Sequence, residues 1–448
     1  MSNKVSVSGK VAEPRLRREL DAAGAVVLGL GAMLGTGVFV SIGLGAGLAG
    51  PAVVLALALA AAVALANGLS SAELAAAHPV SGGTYEYGYL YLHPAAGFTA
   101  GWVFLIAKSA SAATAALGFA GYLLHALGAG PAYVVPVALG AVAILTALVL
   151  TGIRRTNAAN LVIVSVTIGS LLYFIVAGLP SFETANFSPF FIAGDTAGGS
   201  ARSTLGALLE ATALMFVAYT GYARIATLGE EVREPRRTIP RAIVITIVLV
   251  MLLYEAVAVV GTGAAGSEAL REATSGEAAT LAVVARGFRV PGASAVLTVG
   301  AITAMLSVLL NLILGLSRVV LAMARRGDVF RVLGTLNASR TTPYWAVLAV
   351  GVVIAGLALI GDVRTTWSFS AFTVLIYYAL TNLSALRLPS EQRMFPPWIA
   401  VFGLAACLAL AFWVERRVWL LGLGLIAIGL VWHTVAQRAK RARGGARS

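Results

Sequence analysis

Two glycine-rich interruptions of apolar segments carry the residues of this chain that are best suited to binding chemistry. The first reads Gly31-Ala32-Met33-Leu34-Gly35-Thr36-Gly37-Val38-Phe39 and lies inside the apolar segment Ala22–Gly47. A segment of that length can cross a bilayer, which takes about 20 apolar residues. Non-helical backbone at membrane depth is tolerated only where it is buried in protein or lines a watery cavity. The interruption therefore predicts either backbone groups that hold a ligand or close helix packing through small residues.

The second interruption lies in the apolar segment Leu205–Thr227 and reads Phe216-Val217-Ala218-Tyr219-Thr220-Gly221-Tyr222-Ala223-Arg224. Five apolar segments precede it, so the two interruptions hold equivalent places in two halves of five segments each. Halves with an odd number of spans insert with opposite orientations. Paired interruptions in inverted repeats indicate a secondary-transporter site near the bilayer midplane. Core packing is the alternative interpretation for the aromatic residues Phe216, Tyr219 and Tyr222.

The composition indicates a polytopic membrane protein. The chain has 448 residues, of which 59% are hydrophobic and 11% are charged, whereas soluble domains average about 25% charged residues. Mean hydropathy is +0.89. We expect an all-α fold of twelve transmembrane helices, arranged as a five-plus-five inverted repeat plus two, with helices 1 and 6 unwound at the midplane.

The chain divides into six predicted regions with charge-biased ends. They are a cytoplasmic basic tail (1–21), a first five-helix repeat (22–179), an external loop (180–204), a second five-helix repeat (205–386), helices 11 and 12 (387–436), and a second cytoplasmic basic tail (437–448). Most of the 32 Lys and Arg residues fall in the tails and in alternate loops. The positive-inside rule then places both termini in the cytoplasm. The net charge of +13 thus indicates topology and attraction to anionic lipid, and not a nucleic-acid partner.

Four stretches of sequence carry a joint pattern within the first eight predicted helices. They are Gly31–Phe39; Glu73, Pro79, Ser81–Tyr85 and Tyr87; Phe216–Gly221 running on to Ala226–Val232, with Pro235 and Ile239–Ile243; and Asn311, Gly315, Ser317-Arg318 and Ala322-Met323-Ala324. Together they resemble the amino acid–polyamine–organocation transporter family. The resemblance implies the inverted five-plus-five fold shared with the bacterial leucine transporter. It also implies secondary active transport of amino acids across the plasma membrane by alternating access.

The resemblance further implies a substrate site built from the two interruptions. Gly35, Thr36 and Gly37 would bind the substrate carboxylate, because a helix N-terminus carries partial positive charge and unpaired N–H donors. Gly221 would leave room for the unwound turn, and Phe216 would cover the substrate. The carbonyl groups expected to receive the α-ammonium belong to Met33, Phe216, Ala218 and Tyr219.

Lys108 lies inside the third apolar segment and is the candidate for coupling transport to protons, since charged groups within a membrane are functional hypotheses by default. Several proton-coupled members of the resembled family carry a lysine on span five, where this chain has Val166. Lys108 would take over that role. The alternative is a sodium site that uses Ala32, Thr167 and Ser307, or an exchange mechanism for amino acids or amines.

Other charged residues bear on the substrate and on the gates. Arg224 together with Lys108 should repel a dibasic substrate, which favours a neutral amino acid. Glu210 and Glu255 are candidates either to pair with an intramembrane cation or to pack between helices. The segment Glu268–Phe288 is predicted to be an external loop with amphipathic helical character, suited to form a lid.

Enzymatic and receptor functions are the alternative classes. The sequence contains no metalloprotease or serine-hydrolase motif, and the single Cys407 allows neither a disulfide nor a thiolate metal site. We expect no cofactor and no metal. The expected partners are an amino acid substrate, a proton or sodium ion, and membrane lipid. The alanine-rich, lysine-poor composition points to a bacterial inner membrane.

Overall fold

The structure is a computed structural model that describes residues 21–79, 82–152, 157–192, 203–226, 232–336 and 342–445. Every regular element in these ranges is helical, so the predicted all-α fold class is confirmed. The sequence predictions for Ser81, for the run 227–231, for the loop around Arg154, and for residues 1–20 and 446–448 of the two tails lie outside the described residues.

The α-helices follow the predicted apolar segments to within a few residues, except where a helix continues beyond the segment. They are α1 (Ala22–Met33), α2 (Ile42–Ala49), α3 (Val53–Ala77), α4 (Thr84–Tyr87), α5 (Pro94–Leu127), α6 (Val134–Leu150), α7 (Asn157–Gly178), α8 (Thr204–Tyr219), α9 (Ala223–Ala226), α10 (Pro235–Glu277), α11 (Thr280–Ala285), α12 (Ala293–Arg326), α13 (Tyr344–Ala358), α14 (Val363–Ala385), α15 (Pro397–Ala411) and α16 (Arg416–Gly445).

Within the described ranges, 8 continuous helical stretches are long and apolar enough to cross a membrane. Three shorter helices, α1, α13 and α15, are also apolar. Large apolar side chains such as Leu161, Leu252 and Val352 are more than half exposed on the outside of the bundle. A soluble protein rarely exposes apolar surface on this scale, so the chain is a membrane protein.

The first predicted interruption coincides with the end of α1. Leu34, directly after α1, has φ −73° and ψ 105°, which is extended backbone. The chain resumes as a π-helix over Gly37–Ser41 and continues into α2. The N–H groups of Val38 and Phe39 both donate to the Gly35 carbonyl, at 3.1 and 3.2 Å. The predicted first span is therefore two helical pieces joined at Leu34 and Gly35.

The second interruption is milder than the first. Helix α8 ends at Tyr219, and a 3₁₀ turn over Thr220–Tyr222 leads into the single turn of α9. The Thr220 hydroxyl donates to the Val217 carbonyl at 2.7 Å. The Thr220 backbone N–H donates to the same Val217 carbonyl, and the chain continues through the 3₁₀ turn into α9.

The two interruptions pack directly against each other inside the bundle. A Cβ atom added at Gly37 would lie 2.6 Å from the Ala218 Cβ, and one added at Gly221 would lie 2.5 Å from the Ala32 carbonyl oxygen. Both distances are far below van der Waals contact. The absence of a side chain at these glycines is what allows the two broken segments to touch.

The predicted lid segment is helical and seated on the bundle. Helix α10 continues through a kink at Gly266 (φ 82°) to Glu277, and α11 follows it with most of its residues buried. The Tyr122 hydroxyl of α5 accepts from the Leu281 N–H at 3.0 Å and donates to the Phe39 carbonyl at 2.7 Å. One phenol thus joins the lid to the π-helical segment.

A buried polar cluster closes the opposite end of the bundle. Asp328, just after α12, is 1% exposed and accepts from the hydroxyls of Tyr85 and Tyr89, each at 2.7 Å. Its backbone carbonyl accepts from the Trp432 indole N–H at 2.7 Å. We call these four residues the Asp328 cluster. It ties the segment that follows α3 to the end of α12 and to α16.

Candidate functional site

The backbone at Gly35, Thr36 and Gly37 has the properties expected of an anion receptor. These residues open the second helical piece, and the first N–H groups of a helix have no intrahelical acceptor. Thr36 is 4% exposed, and its hydroxyl has no hydrogen-bond partner among the described residues. Leaving a buried hydroxyl unpaired costs about 1–3 kcal/mol. A ligand oxygen at this position would satisfy it.

Three of the residues predicted to supply carbonyl acceptors, Met33, Phe216 and Tyr219, are buried near the crossing of the two interruptions. The Met33 carbonyl already accepts from the Tyr254 hydroxyl at 2.7 Å, and its second lone pair is available for another donor. Phe216 is fully buried, with the Tyr378 ring edge-on at 5.6 Å. The buried Tyr219 hydroxyl has no described partner. Both polar acceptors and an aromatic wall therefore border the crossing.

Lys108 reaches the second interruption. Its Nζ donates to the Thr220 hydroxyl at 2.9 Å, and the Thr220 carbonyl accepts from the Tyr378 hydroxyl at 3.2 Å. The Lys108 side chain is 9% exposed, and within the described chain no salt bridge includes it. A lysine of α5 is thus bound to the 3₁₀ turn of the broken α8–α9 segment through a neutral hydroxyl.

Lys108 does not occupy the place that the family's span-five lysine was expected to hold. Val166 of α7 is 38% exposed on the outside of the bundle. The residue of α7 that reaches α1 is Asn160, whose side-chain N–H donates to the Val27 carbonyl at 3.1 Å. A Cβ added at Gly31 would lie 2.4 Å from the Asn160 Oδ1. An amide, and not a cation, therefore joins these two helices.

The residues of the alternative sodium site differ in whether their oxygens already take part in hydrogen bonds. The Thr167 hydroxyl donates to the Ile163 carbonyl of its own helix at 2.8 Å. The Ser307 hydroxyl is buried and has no partner in the described chain. The Ala32 carbonyl faces Gly221. Ser307 is thus the member of this set with an unused donor and acceptor.

The other charged candidates lie at different depths. Arg224 is exposed at α9, and Glu210 is 1% exposed within α8. The two carboxylate oxygens of Glu255, next to Tyr254, are buried without a described hydrogen-bond donor. Glu73 accepts from the N–H groups of Met394 and Phe395 at 3.3 and 3.4 Å, and so clamps the segment before α15.

Three phenols with a role at the crossing were not singled out from the sequence. Tyr254, Tyr378 and Tyr122 are each fully or almost fully buried and donate to backbone carbonyls of the interrupted segments. A tyrosine inside an apolar helix is a weak signal by itself, because its ring packs well in any core. Only the fold shows which carbonyls the hydroxyls reach.

Comparison with known proteins identifies the family of this chain. The family model described as amino acid permease matches residues 24–441. An uncharacterized transporter of Mycobacterium tuberculosis is 38% identical over 441 residues, covering 96% of this chain and 94% of the relative. A branched-chain amino acid permease of Bacillus subtilis is 27% identical, covering 95% and 94%. Human cationic amino acid transporter 4 is 29% identical, covering 86% of this chain and 62% of the relative.

Proposed function

The chain belongs to the amino acid permease family, and on that premise we propose that it moves neutral amino acids together with protons by alternating access. The family and the relatives are transporters, so the protein is a permease and not an enzyme. Its substrate class is a small-molecule amino acid. The bacterial relatives support a location in the bacterial inner membrane.

The observation that carries the proposal is the hydrogen bond of Lys108 to Thr220. It links a buried amine to the backbone that the proposed substrate would contact, since Thr220 directly follows Tyr219. A buried ammonium is costly unless it is well bonded. Gain or loss of a proton at Nζ therefore changes how strongly α5 holds the broken segment. A proton shifts a conformational equilibrium through such a difference in affinity between states.

Substrate binding in the proposal uses both interruptions. The N–H groups at Gly35, Thr36 and Gly37, with the unpaired Thr36 hydroxyl, would bind the carboxylate. The carbonyls of Met33, Phe216, Ala218 and Tyr219 would accept from the α-ammonium. The positive charge of a protonated Lys108 disfavours a second cation, which supports a neutral side chain on the substrate.

The proposed membrane arrangement keeps twelve spans, with α1 and α2 together forming the first span and α8 and α9 the sixth. Both tails lie in the cytoplasm, the lid segment is external, and the Asp328 cluster faces the cytoplasm. The repeats 22–179 and 205–386 then have opposite orientations. Packing of the two interruptions across Gly37 and Gly221 supports this pairing.

The test is uptake of radiolabelled amino acids into proteoliposomes under imposed pH or sodium gradients. The wild-type protein should accumulate substrate when the outside is acidic. Lys108→Ala should retain counterflow exchange but lose accumulation about tenfold or more, the effect of removing about 1.4 kcal/mol of coupling. Lys108→Arg should not restore accumulation, because arginine stays protonated at any accessible pH.

Two outcomes would contradict the proton-coupled mechanism. One is accumulation by Lys108→Ala with an unchanged pH profile, which would make Lys108 a packing residue. The other is accumulation driven by a sodium gradient at equal pH. The unpaired hydroxyl of Ser307 makes sodium coupling the second candidate, and Ser307→Ala would then abolish the sodium dependence.

A further inference from the structure

Two pairs of hydroxyls meet across the interface between α5 and α14. Ser111 and Ser370 lie 2.7 Å apart between their Oγ atoms, and Thr114 donates to the Thr366 hydroxyl at 2.8 Å. All four side chains are at most 8% exposed. We call these four residues the hydroxyl seam.

The seam is aligned with Lys108. Residues three or four apart lie on one face of a helix. Lys108, Ser111 and Thr114 are spaced by three on α5, and Thr366 and Ser370 by four on α14. The three positions on α5 therefore form consecutive steps along one interface, with Lys108 as the last step. Side chains at these spacings have Cβ atoms about 5–6 Å apart, so the proposed path requires a water molecule between neighbouring steps.

The other end of the seam approaches the surface at the lid end of the bundle. The Thr366 hydroxyl lies within hydrogen-bond distance of the carbonyls of Asp362 and Val363, each at 3.1 Å. Asp362 caps the start of α14 and is exposed. The hydroxyl positions thus run from backbone carbonyls at the exposed start of α14 towards the buried Lys108 amine.

The hydroxyls of the seam have a choice of acceptors. Thr114 lies within reach of both the Thr366 hydroxyl and the Ala110 carbonyl, at 2.8 and 3.0 Å. In the Ser111–Ser370 pair either oxygen can be the donor. Each hydroxyl carries one proton and two acceptor lone pairs. Such groups can take a proton on one side, release their own on the other and then rotate back.

We propose that the hydroxyl seam conducts protons between the lid end of the bundle and Lys108. This inference rests on the proposed proton coupling. At each step an oxygen lone pair binds the incoming proton while that oxygen releases its own proton to the next acceptor. The last proton binds the lone pair of the neutral Lys108 amine. No residue is oxidised or reduced, and one positive charge is moved.

The surroundings of Lys108 leave the amine as the acceptor at the end of this path. The titratable groups around the Thr220 turn include three phenols and the buried Cys407 thiol, which lies close to Tyr222 and Tyr378. Tyr378 donates to the Thr220 carbonyl, the Tyr222 ring packs on Tyr378 at 5.3 Å, and the Tyr377 ring packs at 5.1 Å on Phe104, one turn before Lys108. Phenols ordinarily stay protonated near neutral pH.

The experiment removes one hydroxyl from each pair, with Thr114→Val combined with Ser370→Ala. In proteoliposomes that contain a pH dye, substrate-driven proton entry and substrate accumulation should fall about tenfold, as expected if the barrier rises by about one hydrogen bond. Counterflow exchange and substrate binding should stay close to wild type. Thr114→Ser, which keeps the hydroxyl, should retain proton entry.

The matched control is Thr212→Val combined with Thr298→Val. These buried threonines bond carbonyls of their own helices, α8 and α12, so the control removes two hydroxyls without touching the seam. Wild-type proton entry in the seam variant would overturn the proposal, as would equal losses in the seam and control variants. A parallel loss of counterflow would also overturn it, because the role would then be structural. A wild-type protein that moves no protons at all would instead overturn the underlying function.

Discussion

At the scale of single residues, glycine decides where the two interruptions can touch. Gly35 and Gly37 were predicted from the sequence because glycines inside an apolar segment weaken a helix by about 1 kcal/mol each, and Gly221 was predicted from the matching interruption in the sixth segment. Their contact partners could not be predicted. That Ala218 faces Gly37 and that Ala32 faces Gly221 follows from how the segments cross, which one-dimensional spacing does not encode.

The contact at Gly37 makes this position intolerant even of alanine. A Cβ there would lie 2.6 Å from the Ala218 Cβ and 2.9 Å from its Cα, and the Cα atom cannot rotate away. We expect Gly37→Ala to weaken substrate binding about tenfold or more, since displacing the N–H donors by a few tenths of an ångström weakens their bonds to a carboxylate. Isothermal titration in detergent measures this effect.

The control for that substitution is Gly315→Ala on α12, where an added Cβ meets nothing within 4 Å. Alanine should be tolerated there, with unchanged substrate affinity and equal or slightly higher thermal stability. Wild-type affinity in Gly37→Ala would show that the carboxylate does not bind at the first interruption.

Lys108 illustrates both the reach and the limit of prediction from sequence. A lone lysine in an apolar segment was recognisable as a functional candidate from composition alone. The hydrogen-bond partner of Lys108 could not be predicted, because Thr220 is far away in sequence and carries no charge that would identify it. Likewise, the contact of α7 with α1 through Asn160 could not be predicted, because periodicity does not distinguish this residue near a helix start.

At the scale of elements, the all-α fold and the helix ends were predictable because apolar length and the flanking charges determine them. The difference between the two interruptions was not. The first leaves extended backbone at Leu34, whereas the second becomes a 3₁₀ turn whose Thr220 hydroxyl bonds Val217. The sequence has a threonine next to a glycine at both places, so the residue types alone do not distinguish the two geometries.

The Asp328 cluster holds three elements together at the end opposite the lid. Its carboxylate accepts two phenol hydrogen bonds, and bonds to a charged acceptor contribute about 1.5–3 kcal/mol each. We expect Asp328→Leu to lower the free energy of unfolding by about 3 kcal/mol or more. Thermal unfolding of the detergent-solubilised protein, followed by fluorescence, measures the change. Asp328→Asn should lower the free energy of unfolding by less than Asp328→Leu does.

The comparison variant for the cluster is Glu86→Ala, which removes the nearby ion pair with Arg326. The Glu86 and Arg326 side chains are 26% and 35% exposed, and such pairs contribute about 0–1 kcal/mol. Equal destabilisation by Asp328→Leu and Glu86→Ala would contradict the view that the buried carboxylate organises this end.

At the scale of the whole molecule, the proposed inverted repeats make a testable statement about topology. The native Cys407 is fully buried, so introduced cysteines can be labelled on a nearly silent background. Arg236 and Arg416 are exposed at the starts of α10 and α16, which the proposed topology places on opposite sides of the membrane. A membrane-impermeant maleimide applied to intact cells should label Arg416→Cys and spare Arg236→Cys until the membrane is permeabilised.

The reverse labelling pattern would place the lid in the cytoplasm and would contradict the positive-inside prediction. Labelling of both positions from outside would contradict the cytoplasmic placement of Arg236 and, with it, the proposed twelve-span arrangement. The single-residue controls are the same substitutions made with serine, which should give no signal.

The shared phenol of Tyr122 has a consequence for how the molecule opens. One oxygen both accepts from the Leu281 N–H and donates to the Phe39 carbonyl. The same hydroxyl therefore connects the lid segment to the π-helical segment of the first span. Moving either segment breaks a hydrogen bond to the other. We therefore expect the two segments to open together, which limits the leak of substrate through the protein. Tyr122→Phe removes the hydroxyl, and with it both hydrogen bonds, and keeps the aromatic ring. In that variant we expect a cysteine at Ser41 to be labelled without substrate, and substrate to leak slowly down its gradient. The same cysteine in the background with Tyr122 should show neither effect. A Tyr122→Phe variant without leak or labelling would show that the two segments are not coupled through this hydroxyl.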